Sequence, residues 1–178
     1  MSIMEELVAY ASEAGAQVAE TFGGNSMTWN GGFYSHHLWN VDDEWFYGYG
    51  ERGRERVPTM WSPHDQLVYK WAASRIAIDA RAALELPPIV LPDAIETLGP
   101  EWKLVQRTAL TGSLILEGEQ IPMTLRTVFP QCRTLVEYSH LIRLPYDEVL
   151  ASYRAPDGTP RLGSFMSWRL IHGLSEAG

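Results

Sequence analysis

The chain has 178 residues, 46% hydrophobic, 20% charged and 11% aromatic, a composition too apolar for a disordered segment and sufficient for one globular core. Its formal net charge of −8 argues against nucleic acid or an anionic membrane as partner, because phosphate neutralisation requires Lys and Arg. The single cysteine, Cys132, excludes an internal disulfide and a cysteine-built zinc site, and no apolar run reaches the roughly 18–20 residues of a membrane span.

In chain order, Ser2 and Glu5 form a capping-box pattern, in which hydroxyl and carboxylate satisfy free N–H groups of a first helical turn. Ile3, Leu7, Ala11 and Ala14 repeat at helical spacing and Gly15 is a natural stop, so the pattern predicts a helix over 3–14. From 17 to 50 the pattern changes to short β-prone runs at 17–22, 27–29, 33–41 and 44–49. Gly23-Gly24-Asn25, Asn30-Gly31-Gly32 and Asp42-Asp43 separate these runs as turns, which predicts a meander of antiparallel strands. Ser62-Pro63-His64-Asp65 reads as a second helix start, with Ser62 as cap, Pro63 at the first helical position and Asp65 at the positive dipole end. Leu67, Val68, Trp71, Ile76 and Ala80 then mark an amphipathic helix running to about Leu84 and ended by Pro87-Pro88.

A loop-rich connector over 87–100 leads to strands at 102–109, 112–117 and 123–129, with a further strand expected over 134–144. Pro145-Tyr146-Asp147 opens a short helix over 148–153, which the turn Pro156-Asp157-Gly158 closes. This order is that of an α+β fold: an antiparallel sheet with an N-terminal helix, one long central helix packed on the sheet and a short C-terminal helix. Neither a repeat nor a linker divides the chain, so residues 1–178 are read as a single domain. The acidity is uneven, with nine acidic against three basic residues over 1–60, eight against five over 61–120, and five against six over 121–178. Glu5 and Glu6 stand where a signal peptide carries positive charge, so the expected location is cytoplasmic.

Catalytic patterns fail on inspection. Gly48-Tyr49-Gly50-Glu51-Arg52-Gly53 matches the dinucleotide pattern G-x-G-x-x-G, but the following Arg54-Glu55-Arg56-Val57-Pro58 is too polar, and too soon broken by proline, for the packed helix the pattern needs. A glycine-rich hairpin end is the better reading. A strand would point the adjacent His36 and His37 to opposite faces, and His64, His140 and His172 fall at no metal-binding spacing. Cys132 follows Pro-Gln in a connector with no helical or basic feature that lowers a thiol pKa, and there is no G-x-S-x-G elbow. Asp42 and Glu44 can share a strand face, but carboxylates at a turn read as solvated charge rather than a glycosidase pair. The expectation is a non-enzymatic protein with no cofactor and no metal.

Two segments have the character of an interaction surface. Residues 39–47 place Asp42, Asp43 and Glu44 at a hairpin tip beside large aromatics, Trp45 among them, and aromatic anchors next to charge make binding hot spots. In the plainer reading, Trp39, Val41, Trp45 and Tyr47 are the inward face of two core strands. The second segment, Glu117-Gly118-Glu119-Gln120, is an acidic loop between apolar strands that can enter a cationic cleft.

The stretch Ile142-Arg143-Leu144-Pro145-Tyr146-Asp147-Glu148-Val149-Leu150-Ala151-Ser152-Tyr153-Arg154-Ala155-Pro156-Asp157-Gly158, with the N-terminal helix and the Gly-punctuated aromatic strands, resembles immunity protein family 61. Members are antitoxins of polymorphic toxin systems, among them the antitoxin of the tuberculosis necrotizing toxin, which cleaves NAD. The resemblance implies a cytoplasmic α+β protein that binds a cognate toxin of NAD-glycohydrolase type, blocks its active site and itself catalyses nothing. A cleft that holds a dinucleotide pyrophosphate must be electropositive, so the expected contact residues are Asp42, Asp43, Glu44, Trp45, Glu117, Glu119 and Gln120. The alternative is a small-ligand-binding or hydrolytic domain with an aromatic-lined pocket between sheet and long helix, walled by Trp61 and Trp71. A third possibility is a homomeric structural protein paired through an open strand edge.

Overall fold

The computed structural model describes residues 2–21, 26–31, 34–50 and 56–167. Helix α1 (Ile3–Glu13) begins with the expected capping box: the Glu5 N–H donates to Ser2 Oγ at 3.2 Å, and the Ser2 N–H donates to the Glu5 carboxylate. Strands β1 (Val18–Thr21), β2 (Ser26–Gly31), β3 (Tyr34–Val41), β4 (Glu44–Gly50) and β5 (Val57–Ser62) follow as the antiparallel meander. After α2 (Asp65–Ala83) come β6 (Trp102–Thr108), β7 (Thr111–Leu116), β8 (Glu119–Gln120) and β9 (Thr124–Arg126). They extend the same sheet in the order β1-β2-β3-β4-β5-β9-β7-β6, with β8 paired to β7. Helices α3 (Arg133–Ile142) and α4 (Tyr146–Arg154) complete the fold.

The sheet has one covered face. Its register aligns Met27, Leu38, Tyr47, Met60 and Leu125 in a single row across β2, β3, β4, β5 and β9, each 3% exposed or less. Helix α2 lies against β4 and β5 on this side and buries Val68, Trp71, Ala72 and Ile76. The row reaches Gly112 on β7, where an added Cβ would stand 2.9 Å from Leu135 of α3, from Phe129 and from the Val105 carbonyl oxygen, so glycine suits the close packing here.

Two buried cations tie the helices together. Lys70 on α2, 5% exposed, donates to the carbonyls of Ile142 (2.6 Å) and Leu144 (3.0 Å) at the C-terminal end of α3, and desolvation pulls its pKa down to about 8. Arg81, 2% exposed, donates to the carbonyls of Pro87, Tyr153, Ala155 and Pro156, and so pins both the connector and the end of α4 to α2.

The structure corrects four expectations. Residues 133–142 are helix α3, not a strand, so the C-terminal part holds two helices. Thr134, Val136 and Tyr138 carry strand propensity, but burial of Leu135, Tyr138, Ser139 and Leu141 at helical spacing overrides it. The sequence pattern assigns no element to 57–62, where the chain forms strand β5; Pro58 is accommodated beside the register shift at Gly48. Helix α2 is capped at His64 rather than Ser62, whose hydroxyl instead accepts from the His64 N–H (2.9 Å) and donates to the Pro122 carbonyl (2.6 Å). Cys132, placed in a connector by its sequence, occupies the N-cap position of α3 with φ +50°.

Candidate partner-binding surface

The expected contact residues fall on two hairpin tips, and antiparallel pairing from β4 through β5 and β9 to β7 puts both tips at the same end of the sheet. They are separated by three strand steps, on the order of 15 Å. At the first tip Val41 pairs with Glu44, leaving Asp42 (φ 50°) and Asp43 (φ 63°) as a two-residue turn with both residues left-handed. That geometry matches the right-handed twist of the strands and favours Asp, Asn and Gly, so the two aspartates have a conformational reason to be here. Asn40 Nδ2 donates to the Glu44 carbonyl at 3.1 Å and fastens the base of the turn. Both aspartates are exposed and Glu44 is half-buried; among the described residues none of the three carboxylates has an ion pair.

At the second tip Leu116 pairs with Glu119, and Glu117 (φ 54°) and Gly118 (φ 92°) form the same type of turn. Here the charge is engaged. Arg143 donates to the Glu117 carboxylate, approaches Glu101 at 3.4 Å and sits 5.7 Å over the Trp102 ring. Glu119 and Gln120 are exposed and form the short strand β8.

Trp45 does not join the acidic tip. Its half-buried side chain points to the helix-covered side and meets the Tyr69 ring edge-on at 5.1 Å, and Tyr69 meets Tyr146 in turn. The inward set is also corrected. Because Val41 pairs with Glu44, Trp39 and Val41 share the outer face with Phe46, and only Trp45 and Tyr47 face the core. Trp39 and Phe46 stack at 5.4 Å, and Arg56 lies 5.6 Å from the Trp39 centroid.

A family model described as immunity protein 61 matches residues 10–161. The chain belongs to the immunity protein 61 family. Rv3902c from M. tuberculosis has a similar fold, with a TM-score of 0.70 over 92% of this chain and 94% of that one at 17% identity. No curated protein matches.

Among the described residues of this immunity-family chain, no group of three or more His, Cys, Asp or Glu side chains can hold a metal, and no helix is long and apolar enough to cross a membrane. His36 and His37 do point to opposite faces: His36 stacks on Trp29 (5.2 Å) and bonds Tyr47 Oη (2.7 Å), whereas His37 bonds Thr28 Oγ1 (2.9 Å). Desolvation lowers the pKa of both, that of His37 to about 4. Burial raises the Cys132 thiol pKa, which leaves an inert side chain despite its place at a helix start. Gly48 and Gly50 lie within β4, and an added Cβ at Gly48 would fall 2.2 Å from the Val57 carbonyl oxygen. That glycine serves a close strand approach; Glu51, Arg52 and Gly53 of the dinucleotide pattern lie outside the described residues, as does His172. Trp61 and Trp71 lie on opposite sides of the sheet and cannot wall one pocket: Trp71, on α2, is buried against Tyr138 (5.5 Å), while Trp61 pairs with Phe46 on the outer face. A cavity of about 820 Å³ instead borders α2 and the connector, with walls that include the aliphatic Ile78, Ile89 and Val90 and the charged Arg75, Glu85 and Glu137.

Proposed function

We propose that this chain is a cytoplasmic antitoxin that binds its cognate toxin one to one and blocks the toxin's active site, the toxin being an NAD-cleaving enzyme. Membership in an immunity protein family supports the binding of a toxin. The observation that carries the mode of blocking is the β3–β4 tip. Asp42, Asp43 and Glu44 project from one end of the sheet with no internal cation to neutralise them among the described residues. A cleft built for a pyrophosphate presents cations and backbone N–H groups, and fixed carboxylates on a two-residue turn can satisfy them in place of substrate phosphates. Glu119 and Gln120 lie at the same end and widen the contact, whereas Glu117 is held by Arg143. In this reading the antitoxin contributes charge and shape but no catalysis.

The test is protection in cells that co-express the cognate toxin, sought first in the neighbouring reading frame. The wild-type chain should restore growth and cellular NAD. D42K/D43K/E44K should fail to protect, with E117K/E119K weakened less. Undiminished protection by both variants would defeat the charge-mimicry mechanism, and no protection by the wild type would defeat the antitoxin reading itself.

A further inference from the structure

We infer that the outer face of the sheet is the platform on which the toxin sits, so that the acidic tip is the leading edge of a larger interface; this rests on the antitoxin reading above. The register places Ser26, Trp39, Phe46, Trp61 and Thr124 in one row across β2, β3, β4, β5 and β9. This row alternates with the buried row that the helices cover, and among the described residues no helix packs on it. Three large aromatics, Trp39, Phe46 and Trp61, therefore stand side by side and half-buried along a row against which no helix packs among the described residues, while Ser26 and Thr124 at its ends are buried. Aromatic rings held by a sheet lose little freedom on binding, which makes them efficient anchors.

The same face is continuous with the acidic tip. Val41, 51% exposed, and Glu44 belong to it by register. A recess of about 180 Å³ opens beside Trp61, lined by Glu44, Arg107, Pro122 and Thr124 among others, and offers a hole for a partner side chain. Charge decides the occupant. A second copy of this chain, with its net charge of −8, would bring acidic tips toward one another, whereas a toxin surface rich in Arg and Lys meets the carboxylates and stacks its cations on the tryptophans.

The experiment uses the full chain and a catalytically inactivated form of the cognate toxin, with affinity read by calorimetry. Trp39→Ala and Trp61→Ala should each weaken binding about tenfold or more. Ile78→Glu, on the exposed side of α2, should bind like the wild type. Hydroxyl-radical footprinting of the unmodified protein provides a readout independent of folding defects: oxidation of Trp39, Phe46 and Trp61 should fall in the complex. Wild-type binding that survives both tryptophan variants, or unchanged oxidation at the row, overturns the platform while leaving the antitoxin reading intact. Self-association of the free chain through this face also overturns it. No binding by the wild type overturns both readings.

Discussion

The β3–β4 and β7–β8 hairpins turn through the same two-residue left-handed geometry and emerge from the same end of the sheet, yet their charges have different fates. In β7–β8, Glu117 closes onto Arg143, which also reaches Glu101 and covers Trp102, so the tip is tied to the junction of α3 and α4. In β3–β4 the carboxylates meet no cation among the described residues, and the hairpin is held from below through Asn40 and Trp45. In the second tip Glu117 serves stability, whereas the carboxylates of the first are free to serve recognition. Counting acidic residues does not distinguish them; the arginine that arrives from a distant helix does.

The largest effect should come from severing the free tip's support. Trp45→Ala removes its contact with Tyr69 and should cost about 2–3 kcal/mol of stability in urea unfolding, at the lower end for a tryptophan truncation because the ring is only half-buried. A loss below about 0.5 kcal/mol would mean that the hairpin is not anchored there. Arg143→Ala should cost about 1 kcal/mol, since exposed ion pairs are weak and the cation on Trp102 adds modestly. It should leave toxin binding near wild type, because Glu119 and Gln120 rather than Glu117 widen the contact; a large gain or loss of affinity would show that the Glu117–Arg143 pair itself takes part in the interface. A smaller effect separates the hairpins by pH. His36 and His37 both sit in β3, with folded pKa values below the ordinary 6.5, so their neutral forms are favoured on folding. Their contribution is fully present above pH 6.5 and is lost as pH falls toward about 4, the window in which the unfolded chain takes up protons first. Urea midpoints measured across that window should decline, and His37→Asn should flatten part of the decline. The smallest effect is Asp43→Gly, which suits the turn while removing a charge: stability should stay within about 0.5 kcal/mol or rise, and only toxin affinity should fall.

Much of the fold was readable because local chemistry and global structure agree in it. Ser2 and Glu5 declare α1, and the Gly, Asn and Asp breaks declare the meander. The misreadings have specific causes. Helix α3 looks like a strand through Thr134, Val136 and Tyr138, and only its packing in the fold, with Leu135, Tyr138, Ser139 and Leu141 buried, distinguishes it. The facing of Trp39 and Trp45 depends on a two-residue turn, and a one-position error there exchanges the core side for the outer side. In the binding surface, the acidic tips were visible as composition. The aromatic row was not, because Trp39, Phe46 and Trp61 come from three strands and meet only through register.

The Arg81 guanidinium couples α2, the connector and the end of α4. It holds the carbonyls of Pro87, Tyr153, Ala155 and Pro156 from a position almost closed to water. If α4 were to peel away alone, a buried cation would lose most of its acceptors at once, a penalty far larger than the helix's own contacts would suggest. The connector, α2 and the end of α4 should therefore open together or not at all, and their slowest amide protons should exchange at one common rate. A toxin gripping the far side of the sheet would then bear against a backing that does not yield piecemeal.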